Sequence, residues 1–167
     1  MDELVERAFQ AVQTLPSEDR ERIAYEILER VENKTEWDRL VQEPLAQDWL
    51  EKASRKALKM YTKSAKRLSM NYVNVTINNL LREGSYWKSF DELPEEVRNL
   101  AESNYQSWKQ NSKNPGLRFK KIHNAFPVFS FRVGMNHRTV GAEAQDGKMI
   151  WFWVGSFQDF KNEIGLV

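Results

Sequence analysis

The sequence predicts an α+β fold in which a helical N-terminal segment precedes a β-rich C-terminal segment. Apolar residues recur at helical spacing through about the first sixty positions. By contrast, residues 128–157, VFSFRVGMNHRTVGAEAQDGKMIWFWVGSF, contain runs of β-branched and aromatic residues separated by two turn sequences. This order of elements is typical of helices that cover one face of a mostly antiparallel sheet.

The N-terminal segment is predicted to consist of helices alone. Residues 2–14 form an apolar stripe that ends before Pro16, because proline disfavours helix in the residue that precedes it. Ser17 is expected to cap a second helix that pairs with the first as a helical hairpin. A third helical segment is predicted at residues 35–41, and a fourth helix over residues 44–61.

The middle of the chain is predicted to mix strand and helix. Residues 71–77 alternate as in a strand, and residues 85–90 lead into a helix that has Pro94 near its first turn. The turn formers of residues 111–116 end that helix. Residues 117–122 then resume as a strand.

The last strands are predicted to form a meander. A turn at residues 134–136 follows the first of these strands, and Asp146-Gly147 is typical of a type I′ hairpin between the other two. Residues 149–154, MIWFWV, are apolar throughout, which is expected of a central strand covered on both faces. We therefore expect helices to pack against this strand.

Charge divides the chain into three blocks. Residues 1–51 hold fourteen acidic and six basic side chains, residues 52–69 hold seven basic and no acidic ones, and residues 70–167 hold ten acidic and twelve basic ones. The acidic block indicates either a segment that faces a basic surface or ordinary solvated helix faces. The basic block indicates either a solvated helix end or contact with nucleic acid, although it matches no known DNA-binding motif.

Composition excludes several classes of protein. The chain has no cysteine, so a disulfide framework and a thiolate zinc site are both excluded. No apolar run approaches the ~18 residues that a membrane-spanning helix requires. The N-terminal sequence MDELVERAF lacks the apolar core of a secretory signal. We therefore expect a cytoplasmic protein that makes no contact with membranes.

Three sequence blocks then occur in one order over about eighty residues, beginning at residue 85. They are SYWKSFDELPEEVRNLAESNYQSWKQNSKNPGLRFKKIH, VFSFRVGMNHRTVG and IWFWVGS. In this pattern, residues 70–167 resemble a RelE/ParE-type toxin of bacterial toxin-antitoxin systems. Residues 1–69, through AFQAVQTLPSEDRERIAYEILERVENKTEWDRL, resemble the small helical antitoxin that is often encoded just upstream. Met70 is the expected former start of the toxin.

The resemblance implies a toxin fused behind its antitoxin. The expected fold is an all-helical N-terminal segment packed on a RelE-like domain, which has a mostly antiparallel twisted sheet and two helices. The acidic antitoxin would contact the basic toxin strands within one chain, at a high effective concentration, and would keep the toxin silent. A released toxin would act on the ribosome and messenger RNA. The N-terminal helices could fold back on the chain or join two copies as a homodimer.

RelE-like toxins resemble ribonucleases that need no metal or other cofactor and cut messenger RNA through attack of the ribose 2′-hydroxyl on the adjacent phosphate. This reaction requires cations at the phosphate and groups that transfer protons. Arg138 matches the family's arginine on the second meander strand, and basic residues on neighbouring strands match further positions. The two histidines are the side chains whose ordinary pKa lies near neutrality. The candidate catalytic residues are Arg138, Arg132, Lys120, Lys121, His123 and His137.

Two positions depart from the family pattern. After W-F-W-x-G-S, relatives usually carry a His or Arg and then a Tyr, whereas this chain has Phe157 and Phe160. Phenylalanine transfers no proton, and loss of such a group costs a factor of roughly 10² to 10⁴ in rate. Asp159 is expected to be a helix cap or a surface carboxylate. The alternatives are therefore a weakened ribosome-dependent endonuclease, or a toxin fold that acts without catalysis as an interaction module or gyrase inhibitor.

Overall fold

A computed structural model describes residues 2–71 and 85–166, with the side chains of residues 29, 32–35 and 66–71 left out. The predicted strand at residues 71–77 lies outside the described residues, except for Asn71, which ends a helix. The described part has six α-helices, one 3-10 turn and four strands, which confirms the α+β class. The helices are α1 (Glu3–Gln13), α2 (Ser17–Leu40), α3 (Pro44–Asn71), α4 (Ser85–Asp91), α5 (Glu95–Gln110) and α6 (Phe157–Glu163). The strands are β1 (Lys120–Lys121), β2 (Val128–Val133), β3 (His137–Glu143) and β4 (Met149–Ser156).

The chain divides into two compact units, Met1–Trp37 and Asp38–Val167. The predicted division between residues 1–69 and 70–167 is a different boundary, and it lies inside α3. It stays a prediction about the origin of the two segments. Among the described residues, no helix combines the length and the hydropathy needed to cross a bilayer.

The first unit contains α1 and most of α2. The helix α1 ends at Gln13, as the following proline predicts, and buries none of its residues. In α2 the backbone N–H of Arg20 donates to the carbonyl of Pro16, so Ser17 is the first helical residue and not the cap. The prediction of a separate third segment is also wrong. No glycine or proline occurs between residues 17 and 40, so α2 continues without a break.

The four strands form one antiparallel sheet in the order β1-β2-β3-β4. The strand predicted over residues 117–122 is much shorter than expected. A 3-10 turn at Pro115–Leu117 and a left-handed backbone at Arg118 (φ 49°) precede β1, so only residues 120 and 121 pair with β2.

The hairpin between β3 and β4 has a different turn from the one predicted. Gly147 has a positive φ of 78°, but Asp146 does not, whereas a type I′ turn needs positive φ at both residues. The N–H of Gly147 donates to the carbonyl of Ala144, and the N–H of Ala144 donates to the carbonyl of Lys148. This pattern is a type I turn followed by a glycine bulge.

The prediction of a central strand at residues 149–154 is wrong for the described residues, in which β4 pairs with β3 alone. Its burial comes from helices: α3 and α6 contact it, and the Ser85 hydroxyl of α4 donates to the carbonyl of Phe152 at 2.9 Å. A continuous apolar strand therefore indicates cover on both faces, and it does not by itself indicate a central position.

The two faces of the sheet carry different residues. Phe131 and Val133 of β2 lie on the face that we call the core face, where they pack with Ala101 of α5. Arg132 of β2 and Arg138 of β3 lie on the opposite face, called the arginine face. The helix α3 covers part of this second face, because the Trp49 ring lies 6.3 Å from that of Trp153.

A bulge in β4 directs one tryptophan to each face of the sheet. Val140 pairs with Trp153 and Gly141 pairs with Trp151, so Phe152 is the extra residue. Regular alternation would put both tryptophans on one face, but the bulge directs Trp151 to the core face and Trp153 to the arginine face. Gly141 is required here, since a Cβ at this position would lie 2.5 Å from the Trp151 ring.

Candidate functional site

The centre of the candidate site is a pair of arginines on neighbouring strands. Arg132 and Arg138 are direct partners across the antiparallel pair β2 and β3, so their side chains leave the same face of the sheet. Like charges in directly opposed positions destabilise a sheet. The pair therefore concentrates positive charge where an anion could bind, and Nε of Arg132 also donates to the carbonyl of Gly134 at 2.6 Å.

Arg138 is held in one orientation by its surroundings. It is 4% exposed, and its Nη1 donates to the carbonyls of Met135 at 3.1 Å and His137 at 2.8 Å. Its guanidinium carbon lies 4.8 Å from the centre of the Phe157 ring. Burial, together with the charge of Arg132, lowers the pKa of Arg138 to about 10, so the side chain remains a cation at neutral pH.

Two further cations join the arginine pair. Lys120 pairs with Ser130 in the register of β1 and β2, which places Lys120 on the arginine face. Arg118 is a further cation whose charge lowers the pKa of Arg138. We call Arg118, Lys120, Arg132 and Arg138 the basic cluster.

An acid at the end of α2 faces this cluster. Asp38, in the last turn of α2, forms an ion pair with Lys120 and also raises the pKa of Arg138. Asp38 was not among the residues predicted from the sequence. A signal was present, because an acid in the last turn opposes the helix dipole, which favours cations at that end.

Lys121 does not belong to the cluster. It pairs with Phe129, and alternation along the strand directs its exposed side chain to the core-face side of the sheet. Its candidate catalytic role therefore finds no support in the geometry.

His123 is committed to hydrogen bonds within the fold. It is 7% exposed, and its Nδ1 accepts from the backbone N–H groups of Ala125 at 3.1 Å and Phe126 at 2.9 Å. Its Nε2 lies 3.2 Å from the carbonyl of Gln47, to which it donates when Nδ1 is the acceptor. Both ring nitrogens have partners, so this histidine orders the loop between β1 and β2.

His137 is the histidine nearest to the basic cluster in sequence and register. It begins β3 opposite Ser156 and is half-buried. Burial lowers its pKa, nearby Asp159 raises it, and Arg138 lowers it, with a net result below the ordinary value. The imidazole is therefore neutral at pH 7 and able to accept a proton, although alternation directs it away from the face of Arg138.

The two phenylalanines of α6 are packing residues. Phe157 lies against Arg138, while Phe160 is completely buried, with its ring 5.4 Å from Trp49 and 5.3 Å from Trp153. The helix begins with a capping box, in which Ser156 is the cap and Asp159 is its partner three residues later. Asp159 is thus the second member of the cap, not the cap residue itself.

The helix α3 is attached to the sheet along its length. At one end, the Gln47 amide donates to the carbonyls of Val41 at 2.6 Å and Ile122 at 2.9 Å, and it accepts from the N–H of Asn124 at 3.0 Å. Further along, the hydroxyl of Tyr61 donates to Asp146 at 2.7 Å. Gln47 was not predicted from the sequence, because nothing in a lone glutamine indicates two partners more than seventy positions away.

Trp49 lies between these two attachments. Its ring centre is 6.1 Å from that of Phe152, in addition to its contacts with Trp153 and Phe160. Trp49 therefore packs against β4 and α6. Trp37 is buried at the end of the first unit.

In the described ranges, no three His, Asp or Glu side chains lie close enough together to hold a metal ion. The chain was compared with protein-family models, with curated proteins and with solved structures, and none of the three comparisons gave a match.

Proposed function

We propose that this chain is a toxin and its antitoxin in one polypeptide, held silent by contact between the two. The toxin is residues 70–167, a RelE-like domain that resembles a ribosome-dependent messenger-RNA endonuclease, and the antitoxin is residues 1–69. One observation supports this best: Asp38 contacts the basic cluster and Trp49 of α3 packs on the same face of the sheet, and both residues belong to the antitoxin-like segment. Because its proposed targets are ribosomes and messenger RNA, the toxin would act in the cytoplasm.

The cluster suits the chemistry of RNA cleavage by the 2′-hydroxyl. In that reaction the hydroxyl oxygen bonds to phosphorus, its proton leaves to a base, and the 5′-oxygen departs with a proton to leave a cyclic phosphate. Arg138, fixed and charged, would stabilise the negative charge that develops on the phosphate, while Arg132 and Lys120 would orient it. His137 is the proposed proton acceptor, which requires the RNA to reach the end of β3.

A second function has its own support. Phe157 and Phe160 are packed where the family supplies proton-transfer groups, and both nitrogens of His123 are bonded within the fold. A domain that keeps the phosphate-binding cations and lacks these groups suits a role without catalysis. The alternative proposal is therefore an interaction module or an inhibitor of DNA gyrase.

The proposal can be tested in the full chain with a variant that weakens the contacts of Asp38 and α3 with the arginine face. A variant with Asp38→Asn and Trp49→Ala loses the acid at the cluster and the ring that anchors α3. We expect this variant to cleave message on purified ribosomes, and the same variant with Arg138→Ala to be inactive. Absence of cleavage by a folded double variant would refute the endonuclease. A supercoiling assay of gyrase with the same proteins then tests the alternative.

A further inference from the structure

The basic cluster brings several positive charges close together on one face of the sheet, and Arg132 and Arg138 also donate to backbone carbonyls at the β2–β3 turn. Arg132 and Arg138 are directly opposed, and Arg118 also acts on Arg138. Neighbouring cations repel one another, and an anion placed beside them reduces the repulsion. In the folded chain, the Asp38 carboxylate bonds to Lys120 at this place.

Asp38 is poorly placed with respect to its own helix. It lies in the last turn of α2, where the helix dipole creates a negative potential and cations are favoured. A local rule of this kind is broken mainly where another interaction or a function compensates. The compensation here is the attraction of the basic cluster.

The position of Asp38 is set by a rigid corner. Leu40 and Val41 follow it and are buried, at 3% and 2% exposure, and the carbonyl of Val41 accepts from Gln47. In contrast, the side chains of Asp38 and Lys120 keep 42% and 40% of their surface exposed. The backbone is therefore anchored, but an anion from solvent can reach the ion pair.

We propose that the Asp38 carboxylate occupies the position of a phosphate group of the nucleic-acid ligand, so that the ion pair and phosphate binding exclude each other. A carboxylate and a phosphodiester both carry one negative charge and offer oxygen acceptors to arginine and lysine. The identity of the phosphate as part of RNA rests on the proposed function, but the exclusion follows from the cluster and Asp38 alone.

The exclusion has a measurable consequence. When Asp38 holds the cluster, only the fraction of molecules with a broken ion pair can bind phosphate, and the apparent affinity falls by that fraction. Removing the charge of Asp38 should then tighten phosphate binding without adding any contact. A fraction of about one tenth corresponds to an increase in affinity of about tenfold.

The test measures binding of a fluorescent single-stranded RNA oligonucleotide to the full chain, at one fixed salt concentration. We expect Asp38→Asn to bind about tenfold more tightly than the natural chain. Asp48→Asn is the matched control, because Asp48 forms an exposed ion pair with Lys52 and the variant makes the same change in charge. This control should bind as the natural chain does. Adding Arg138→Gln to Asp38→Asn should remove the gain.

Two results would overturn the proposal. Equal affinity of the natural chain and Asp38→Asn would show that Asp38 does not compete with phosphate, and equal gains for Asp38→Asn and Asp48→Asn would reduce the effect to net charge. If Asp38→Asn fails to fold, Asp38→Glu and Lys120→Gln serve instead: the first should bind as the natural chain does, and the second should bind more weakly than the first. An affinity of Lys120→Gln equal to that of Asp38→Glu would also overturn it.

A second probe separates the sources of phosphate. Inorganic phosphate should raise the melting temperature of Asp38→Asn more than that of Asp48→Asn if the cluster binds the phosphate group itself. Stabilisation by inorganic phosphate without tighter RNA binding would overturn RNA as the source. Tighter RNA binding without cleavage on ribosomes would instead support the exclusion and contradict the endonuclease.

Discussion

At the scale of single residues, Arg138 shows how a cation is kept in a nearly closed site. Two backbone carbonyls accept from its Nη1 and the Phe157 ring lies along the guanidinium. These groups replace the water that an exposed arginine would bind. RelE-like toxins usually carry a proton-transfer residue at the position of Phe157. In this chain Phe157 packs against Arg138 instead.

The burial of Phe160 predicts how much stability is lost when it is replaced by the tyrosine that RelE-like toxins usually carry. Phe160→Tyr would place a hydroxyl among Trp49 and Trp153, in a site with no exposed surface. We expect the free energy of unfolding to fall by about 1–3 kcal/mol, because the hydroxyl loses water without gaining a partner. Phe9→Tyr, at a position 60% exposed, is the control. Equal stability of the two variants, measured by urea unfolding, would show that the site has room for a bonded hydroxyl.

His137 predicts a dependence of stability on pH. Burial lowers its pKa below the ordinary 6.5, so the unfolded chain takes up a proton before the folded chain does. The free energy of unfolding should therefore fall as the pH decreases through about 6.5, and this part of the fall should be absent in His137→Gln. Unfolding curves measured at pH 7.5 and pH 5.5 test the expectation. Parallel losses of stability in both proteins would contradict it.

At the scale of elements, α3 is attached to the sheet by side chains that bridge distant parts of the chain. The Gln47 amide alone bridges the α2–α3 corner and the connection that follows β1. Backbone groups in loops need partners when they are partly buried, and one amide supplies three of them. The attachment of α3 thus depends on specific hydrogen bonds as well as on the apolar contact of Trp49.

Gln47→Ala should weaken this attachment. The carbonyls of Val41 and Ile122 and the N–H of Asn124 would lose their side-chain partner. We expect a loss of about 1–3 kcal/mol in the free energy of unfolding, because water reaches such partly buried groups incompletely. Gln42→Ala, at an exposed position of the same corner, provides the comparison in urea unfolding. A loss no greater than that of Gln42→Ala would show that the amide contributes little.

At the scale of the whole molecule, the first unit exposes much apolar surface. Large apolar side chains of α1 and α2 are more than half exposed, namely Leu4, Val5, Phe9, Tyr25, Ile27, Leu28 and Val31. So many exposed apolar side chains in one small unit suit a surface that binds another protein. Because both helices of the unit carry it, the proposed homodimer would bring four helices around one apolar centre.

The dimer can be tested by light scattering after size exclusion. We expect the mass of two chains for the natural protein and the mass of one chain for Leu28→Glu, since the charge would have to be buried in the interface. Leu45→Glu makes the same change at a position 51% exposed in α3 and should leave the dimer intact. A natural protein with the mass of one chain at every concentration would refute the homodimer.

Much of this architecture could be predicted from residue patterns, and the failures have physical causes. Helical spacing and turn residues predicted α1, α3, α5 and the meander. The turn at Asp146 and Gly147 was predicted wrongly because Asp-Gly suits both a type I′ turn and a glycine bulge. Local patterns do not choose between them.

The candidate site was predicted in part. The resemblance identified Arg132 and Arg138, which the register of the sheet does bring together. Pattern alone could not show that His123 bonds within the fold, or that Asp38 meets Lys120 across 82 positions of sequence. Contacts between residues so far apart depend on tertiary packing, on which helical spacing and alternation carry no information.

The two attachments of α3 bear on how quickly the arginine face can become accessible. Gln47 and Tyr61 are separated by fourteen residues, which is about 21 Å along a helix. If only one end detaches, the other end and Trp49 hold the helix in place, so exposure requires both to detach in a single cooperative opening. The amides beneath α3 should then exchange with deuterium together, and the lifetime of the closed state would set the rate at which the part of the arginine face beneath α3 becomes accessible.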